Sequence, residues 1–216
     1  MTIVKICGLT NLDDALCAVD AGADMLGFIF YPPSPRSVTI EVAQSIVASL
    51  RQSQIQNLKS EITLVGVFVN ETPTHMLRVI HDVGLDAIQL SGNEPIEIVR
   101  SLDGRAVKVI RKLHEAFTFG GMQANAMLPE LILEADHPTL YGGTGQRANE
   151  QLALDLARQH RLMLTGGLTP DNVADIVRAV QPWGVDVASG VELTKGMKDH
   201  TKVLAFVRNA KARARP

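Results

Sequence analysis

Two glycine-bearing segments in the last third of the chain contain the residue types that bind phosphate. Thr165-Gly166-Gly167-Leu168 precedes a predicted helix start, and Ala188-Ser189-Gly190-Val191 follows the next apolar run. Backbone N–H groups exposed in glycine loops and at helix starts bind anions. One Gly-Gly pair can equally be a tight turn. Two such loops after neighbouring strands favour a phosphate site made by Gly166, Gly167, Ser189 and Gly190.

Cys7 has the side chain best suited to act as a base or a nucleophile. It ends a short apolar run, precedes Gly8 and lies two residues after Lys5. Only the thiolate is reactive, and a nearby cation or helix N-terminus lowers the pKa of a thiol. A free cysteine is more often a small buried apolar residue. Its place at a strand end favours function for Cys7, whereas Cys17 lies within a predicted helix and is interpreted as structural.

Several charged residues also occupy positions at or near strand ends. Arg36 follows the proline-rich segment 32–35, and a stiffened guanidinium suits bidentate binding of a carboxylate, although a surface arginine is equally compatible with the sequence. Glu134 ends the sixth apolar run and Asp136 follows two residues later, so either carboxyl is a candidate general acid. Asp186 lies within the eighth run, where a buried carboxylate needs hydrogen-bond partners.

These residues are placed by short apolar runs that alternate with helical patterns. Runs that are apolar at nearly every position are typical of parallel strands buried on both faces. The predicted strands are Ile3 to Ile6, Met25 to Phe30, Ile62 to Val69, Ala87 to Leu90, Ala106 to Ile110, Leu131 to Leu133, Leu162 to Thr165 and Val185 to Ala188. The predicted helices cover Leu12 to Asp20, Ile40 to Arg51, His75 to Val83, Asn93 to Ser101, Lys112 to Met127 with an interruption at Gly120-Gly121, Asn149 to Gln159, Asp171 to Val180 and about Thr201 to Arg213.

Eight strand-helix units in 216 residues are close to the lower limit for a (β/α)8 barrel, here a single α/β domain over residues 1–216. A doubly wound open sheet is the alternative. Active sites of such barrels lie at the C-terminal ends of the strands, which also selects Gln89 and Arg111.

Composition excludes several classes of protein. Hydrophobic residues make up 46% of the chain and the net charge is −2, so the sequence predicts a large core and no general affinity for nucleic acid or membrane surfaces. No apolar run is long enough to span a membrane, and two cysteines do not make a disulfide framework. The six histidines show no metal-ligand spacing. We therefore expect a cytoplasmic protein without a metal.

Several distinctive segments are spread in order along nearly the whole chain: KICGLT at 5–10, AGADMLGFIFYPPSPRSV at 21–38, VGVFVN at 65–70, IQLSG at 88–92, YGGTGQR at 141–147, LTGGLTPDNV at 164–173, VDVASGVE at 185–192 and GMKD at 196–199. Together these segments resemble phosphoribosylanthranilate isomerase, a (β/α)8 enzyme family of tryptophan biosynthesis.

The resemblance implies an Amadori rearrangement of N-(5-phosphoribosyl)anthranilate to 1-(2-carboxyphenylamino)-1-deoxyribulose 5-phosphate, without a metal or an organic cofactor. It assigns Cys7 as the general base that takes the C2 proton. It assigns Glu134, at the position of the family's aspartate, as the general acid that protonates the furanose oxygen. Arg36 is expected to bind the anthranilate carboxylate, and Asp186 and Gln89 are expected to contact the substrate.

The same resemblance implies that the glycine loops at Gly167 and Gly190 bind the phosphate of a small phosphorylated substrate. There are three departures from the family: Glu134 replaces Asp, Ser91 replaces His, and the segment Ala148-Asn149-Glu150 replaces Phe-Asp-Trp. These departures leave open a degenerate barrel that binds a phosphosugar with little or no turnover. The sequence is compatible with a monomer or a homodimer.

Overall fold

The computed structural model describes residues 1–52, 62–121, 123, 125–134 and 149–212. Within these residues eight parallel strands alternate with helices and close into a barrel in sequence order, with the eighth strand paired to the first. The (β/α)8 prediction is therefore confirmed, and the open-sheet alternative is wrong. The barrel strands are β1 (Ile3–Cys7), β2 (Met25–Ile29), β3 (Thr63–Phe68), β4 (Ala87–Leu90), β5 (Ala106–Ile110), β6 (Leu131–Leu133), β7 (Leu162–Thr165) and β8 (Gly184–Val187).

Several of the helices on the outside of the barrel begin at polar side chains that cap their first backbone N–H groups. Asn11 caps α1, Thr72 caps α3 and Asn149 caps α6, each by accepting a hydrogen bond from the backbone N–H three residues later. The helices are α1 (Leu12–Asp20), α2 (Ile40–Gln52), α3 (Pro73–Val83), α4 (Ile96–Ser101), α5 (Leu113–Phe119), α6 (Glu150–Ala157), α7 (Val173–Val180) and α8 (His200–Lys211).

Two helices depart from their predicted bounds by three residues or more, and the other helices by two residues or fewer at either end. Helix α4 begins at Ile96 instead of Asn93, because the residue before a proline is disfavoured in helical conformation and Pro95 is the extended N-cap. Helix α5 ends at Phe119 and does not resume, since Gly120 is extended and the described residues from Gln123 to Met127 are turn or coil.

Alternate residues of each strand face the barrel interior. Met25, Val65, Ile132 and Met163 belong to one apolar cluster towards the N-terminal ends of the strands. Residues of the other parity pack under the helices in a much larger apolar cluster. Lys5 pairs in register with Met25 on one side and with Asp186 on the other, so these two charged residues also face inward.

A short extension follows β8 and is not part of the eight-unit pattern. Residues Ser189–Val191 form one turn of 3₁₀ helix, and an antiparallel hairpin follows, made of β9 (Glu192–Thr194) and β10 (Met197–Lys198). The hairpin leads into α8, whose N-cap is Asp199. The sequence pattern did not predict this hairpin, which brings Glu192 and Lys198 to the C-terminal end of the barrel.

Candidate active site

Cys7 lies at the C-terminal end of β1 and is buried. Its in-register neighbour on β2 is Gly27, where a Cβ atom would lie only 2.8 Å from the Cys7 Sγ and 3.0 Å from the Lys5 Nζ. The absence of a side chain at Gly27 therefore provides the space in which the thiol and the ammonium group meet. Burial raises the pKa of the Cys7 thiol, and the neighbouring Lys5 only partly opposes that effect.

Lys5 forms a buried ion pair inside the barrel. Its Nζ lies 3.1 Å from Asp186 Oδ1, and it also hydrogen-bonds Cys7. Burial by itself would lower the pKa of Lys5, but Asp186 and Cys7 outweigh it and the pKa is raised. Lys5 is therefore a positively charged neighbour that lowers the pKa of the thiol. Asp186 pairs with Lys5, and its negative charge offsets part of that lowering.

Glu134 follows β6 and is buried against a cation from β5. Arg111 Nη2 lies 2.9 Å from Glu134 Oε2 and also donates to the Ser91 carbonyl oxygen at 2.9 Å. Burial raises the pKa of Glu134 and exceeds the opposing effect of Arg111, while the Asp186 charge raises it further. A carboxyl with a raised pKa is suited to donate a proton near neutral pH. Asp136, the alternative acid, lies outside the described residues.

Arg36 is held by the hairpin that follows β8. Its Nε and Nη2 donate to the two carboxylate oxygens of Glu192 at 2.7 and 2.8 Å, a bidentate and buried pair. The Arg36 stem packs over Gly8, next to Cys7. The interpretation of Arg36 as a surface arginine is therefore wrong.

Gln89 faces the barrel interior from β4, in register with Val107 of the interior cluster. Its Nε2 donates to Ser91 Oγ at 3.2 Å, whereas its buried Oε1 has no hydrogen-bond partner among the described residues. A buried acceptor without a partner is costly unless another group supplies a hydrogen. Gln89 is therefore placed to accept a hydrogen bond from a ligand or from water.

The two glycine loops lie side by side after β7 and β8. Gly166 and Gly167 both have positive φ, at 94° and 63°, and Asn172 holds the loop by donating to the Gly167 carbonyl oxygen at 2.9 Å. Gly190 approaches the first loop so closely that a Cβ atom there would lie 1.8 Å from the Leu168 carbonyl oxygen.

A single recess is lined by residues from both loops together with the candidate acid. Glu134 and Asp186 form part of its wall, and Gly166, Gly167, Ser189 and Gly190 form another part. The structure thus brings the predicted phosphate loops, the predicted acid and Asp186 together around one space. Cys7 joins this group through Lys5, which contacts both Cys7 and Asp186.

Sequence reasoning missed two residues that organise this end of the barrel. Glu192 and Lys198 lie in the matched segments VDVASGVE and GMKD, but no chemistry was assigned to them. Their partners are Arg36 and backbone carbonyl groups far along the chain, which a local pattern cannot show. Arg111 was a candidate because it follows a predicted strand, but nothing in the sequence indicated its role.

Comparisons with known proteins give the family. A sequence model of N-(5'phosphoribosyl)anthranilate (PRA) isomerase matches residues 4–209. The curated N-(5'-phosphoribosyl)anthranilate isomerase of Roseiflexus castenholzii is 46% identical over 214 residues, which cover 99% of this chain and 100% of that protein. The chain belongs to the phosphoribosylanthranilate isomerase family. The family, the fold and the isomerase function predicted from the sequence are confirmed.

Solved structures of phosphoribosylanthranilate isomerases agree with this assignment over the whole chain. The enzyme from Thermotoga maritima superposes with a TM-score of 0.83 at 38% identity and covers 98% of this chain and 99% of its own. A further structure, of a phosphoribosylanthranilate isomerase in complex with reduced 1-(o-carboxyphenylamino)-1-deoxyribulose 5-phosphate, has a TM-score of 0.79 at 37% identity and covers 98% of this chain and 99% of its own.

Clusters of metal ligands and membrane-spanning helices are both absent from the described residues. Across the described part of the chain, no group of three or more His, Cys, Asp or Glu side chains is arranged to hold a metal ion. No helix in the same residues is long and apolar enough to cross a membrane.

Proposed function

We propose that this chain converts N-(5-phosphoribosyl)anthranilate into 1-(2-carboxyphenylamino)-1-deoxyribulose 5-phosphate, a step of tryptophan biosynthesis, with Glu134 as general acid and Cys7 as general base. The observation that carries this assignment of roles is the recess in which Glu134 and Asp186 meet both glycine loops. Asp186 connects that recess to Cys7 through Lys5. A proton donor, an anion site and a proton acceptor thus lie along one path.

The first step opens the sugar ring. Protonated Glu134 gives its proton to the furanose oxygen, the C1–O bond breaks, and the nitrogen lone pair forms a protonated Schiff base at C1. Burial favours the protonated form of Glu134 before the reaction. Arg111, 2.9 Å away, stabilises the carboxylate that remains afterwards. The same arginine therefore keeps the acid in place in both protonation states.

The second step moves the double bond. The Cys7 thiolate removes the proton from C2, the C2–H electrons form a C1–C2 double bond, and the electrons of the C–N double bond return to nitrogen. Protonation at C1 and loss of the C2 hydroxyl proton then give the ketone. Because burial raises the pKa of Cys7, the Lys5 ammonium is the group that makes thiolate formation possible.

The two ends of the substrate carry negative charges, and the site has a candidate partner for each. The glycine loops at Gly167 and Gly190 supply backbone N–H groups for the phosphate. Arg36 supplies a fixed guanidinium for the anthranilate carboxylate. In support, a solved relative binds a reduced product that carries both a carboxyl group and a phosphate. Gln89 Oε1 is available to accept a hydrogen bond from the sugar or the amine.

Turnover tests the function, and a pair of cysteine variants tests the base. The purified protein should convert substrate in a coupled assay that follows anthranilate fluorescence. Cys7→Ala should lower kcat by roughly 10² to 10⁴-fold, the usual contribution of a general base. Cys17→Ala is the matched control and should retain activity. Equal kcat for Cys7→Ala and the parent would exclude Cys7 as the base, whereas ligand binding without any turnover would favour the degenerate barrel.

Four further proposals accompany this function. We propose a single domain over residues 1–216, which the closure of β1 on β8 supports. A small phosphorylated substrate is the expected partner. One solved relative, from Thermotoga maritima, is described as dimeric, and for this chain a monomer or a homodimer stays a prediction, as does a cytoplasmic location.

A further inference from the structure

The hairpin after β8 ties three parts of the candidate site to one another. Lys198 Nζ donates to the Cys7 carbonyl oxygen at 2.7 Å and to the Ala188 carbonyl oxygen at 3.1 Å. It also lies 3.3 Å from Glu192 Oε1, and Glu192 holds Arg36 by two hydrogen bonds. One buried ammonium group thus connects the base strand, the second phosphate loop and the residue that fixes Arg36.

The Glu192 carboxylate leaves the terminal edge of the Arg36 guanidinium outside the pair. Its two hydrogen bonds use one N–H on Nε and one on Nη2 of the five that a guanidinium carries. The edge formed by Nη1 and Nη2 has a second fork of the same geometry, which matches a carboxylate. Glu192 therefore determines in which direction that second fork points.

The charges of the group also match an anionic ligand. Arg36 and Lys198 contribute two positive charges, and Glu192 contributes one negative charge, so the three side chains carry a net charge of +1 when all are ionised. Arg36 and Lys198 outweigh the effect of burial and lower the pKa of Glu192, which keeps it ionised. A bound carboxylate would bring the charge of the group to zero.

We infer that Glu192 is a positioning residue that sets the substrate preference of the enzyme by orienting Arg36 towards the ring carboxylate, with Lys198 anchoring Glu192 to β1 and to the loop after β8. This inference rests on the proposed function, in which Arg36 binds that carboxylate. Glu192 itself need not touch the substrate, because its two oxygens already accept hydrogen bonds from Arg36.

The test compares binding of two reduced product analogues, one with the ring carboxylate and one without it, by isothermal titration calorimetry. The ratio of the two Kd values measures carboxylate preference. In the parent protein the ratio should favour the carboxylate by about 10-fold or more, as expected for a charge-assisted hydrogen bond, and Arg36→Met should abolish that preference. A parent ratio near one would count against the role of Arg36, and hence against this part of the proposed function.

Glu192→Gln separates orientation from charge. The substitution raises the net charge of the group to +2, which by itself would increase the preference for a carboxylate. The amide, however, has one acceptor oxygen in place of two, so Arg36 loses one of the two hydrogen bonds that fix its direction. We expect the ratio to fall by about 5-fold or more. An unchanged or increased ratio would overturn the inference.

Three further variants complete the test. Glu192→Asp keeps the charge and shortens the side chain, so the ratio should also fall, and this variant serves if Glu192→Gln does not fold. The double variant Arg36→Met with Glu192→Gln should equal Arg36→Met alone, because Glu192 acts only through Arg36. Glu94→Gln is the matched control: it removes a buried carboxylate that follows β4 and pairs with Lys108 at 2.9 Å, and it should leave the ratio unchanged.

Discussion

Replacing Asp186 by Asn should lower the pKa of the Cys7 thiol. The carboxylate pairs with Lys5 at 3.1 Å, and Lys5 also contacts the thiol, so Asp186 both adds a negative charge near Cys7 and occupies the cation that would stabilise a thiolate. Asn removes that charge and keeps an oxygen that can accept the hydrogen bond from Lys5. The side chain keeps nearly the same size, so the barrel interior should remain filled.

Coulomb's law gives the size of the effect. Two unit charges about 6 Å apart at an effective dielectric constant of about 20 interact by roughly 3 kcal/mol, which corresponds to about two pKa units. Lys5 loses its charged partner, so its ammonium form becomes less favourable. This effect reduces the expected fall in the pKa of Cys7. We therefore expect the pKa of Cys7 to fall by about one to two units.

The assay is a pH titration of the ultraviolet absorbance of the thiolate. It is done in a Cys17→Ser background, so that Cys7 is the titrating thiol. Glu94→Gln in the same background is the control for loss of a buried carboxylate, and it should leave the pKa of Cys7 unchanged. A Cys7 pKa that stays the same or rises in Asp186→Asn, with the thermal unfolding midpoint showing a folded protein, would refute the reasoning that Asp186 reduces the effect of Lys5.

The pH dependence of kcat/KM should change in the direction expected from a lower pKa of Cys7. Turnover needs the thiolate of Cys7 and the protonated form of Glu134, and burial raises both pKa values. The profile of kcat/KM should be bell-shaped, because activity is lost on the acid side as the Cys7 thiolate takes up a proton and on the alkaline side as Glu134 loses its proton. In Asp186→Asn the lower pKa of Cys7 should raise kcat/KM on the acid side of the profile.

Three other substitutions have definite expected outcomes. Glu134→Gln should lower kcat by about 100-fold or more while the affinity for the product analogue changes little, and steady-state kinetics beside calorimetry would show it; normal turnover would place the acid elsewhere. Gly190→Ala places a Cβ atom 1.8 Å from the Leu168 carbonyl oxygen, so the loop must move and the KM for the phosphorylated substrate should rise; an unchanged KM in a folded variant would count against the phosphate site. Gln89→Leu removes a buried acceptor without a partner, so the free energy of unfolding should not fall by more than about 1 kcal/mol, whereas substrate affinity should decrease; unchanged affinity would mean that Gln89 does not contact the substrate.

The barrel strands were predictable because parallel strands buried on both faces are apolar along their whole length. Four of the eight, Ala87–Leu90, Ala106–Ile110, Leu131–Leu133 and Leu162–Thr165, have the predicted bounds, and the others differ by one residue at one or both ends. The start of α4 was wrong because the effect of Pro95 on its neighbour outweighs the apolar pattern. Local signals therefore suffice where one physical preference dominates.

The charge pairs were not predictable, since they depend on strand register and on contacts across the chain. Lys5 and Asp186 are 181 residues apart, and their pairing follows from how β8 aligns with β1. Lys198 reaches the Cys7 carbonyl group across 191 residues. The sequence indicated that Lys5 would lower the pKa of Cys7. In the structure, burial of Cys7 raises its pKa by more than Lys5 lowers it, and the charge of Asp186 raises it further.

The interior apolar cluster lies towards the N-terminal ends of the strands. Substitutions there therefore have different consequences from substitutions at the C-terminal ends, where the charged residues lie. Buried ion pairs at the C-terminal end contribute little net stability compared with apolar packing, yet removing one partner is costly. Met25, Val65, Ile132 and Met163 pack against one another, and Lys5 lines the same small recess. Substitutions that improve packing in this cluster on the side away from Lys5 can raise heat tolerance without disturbing the reacting groups, and that added stability can offset destabilising changes in the loops. The same scaffold can therefore acquire new substrate preferences while it stays folded.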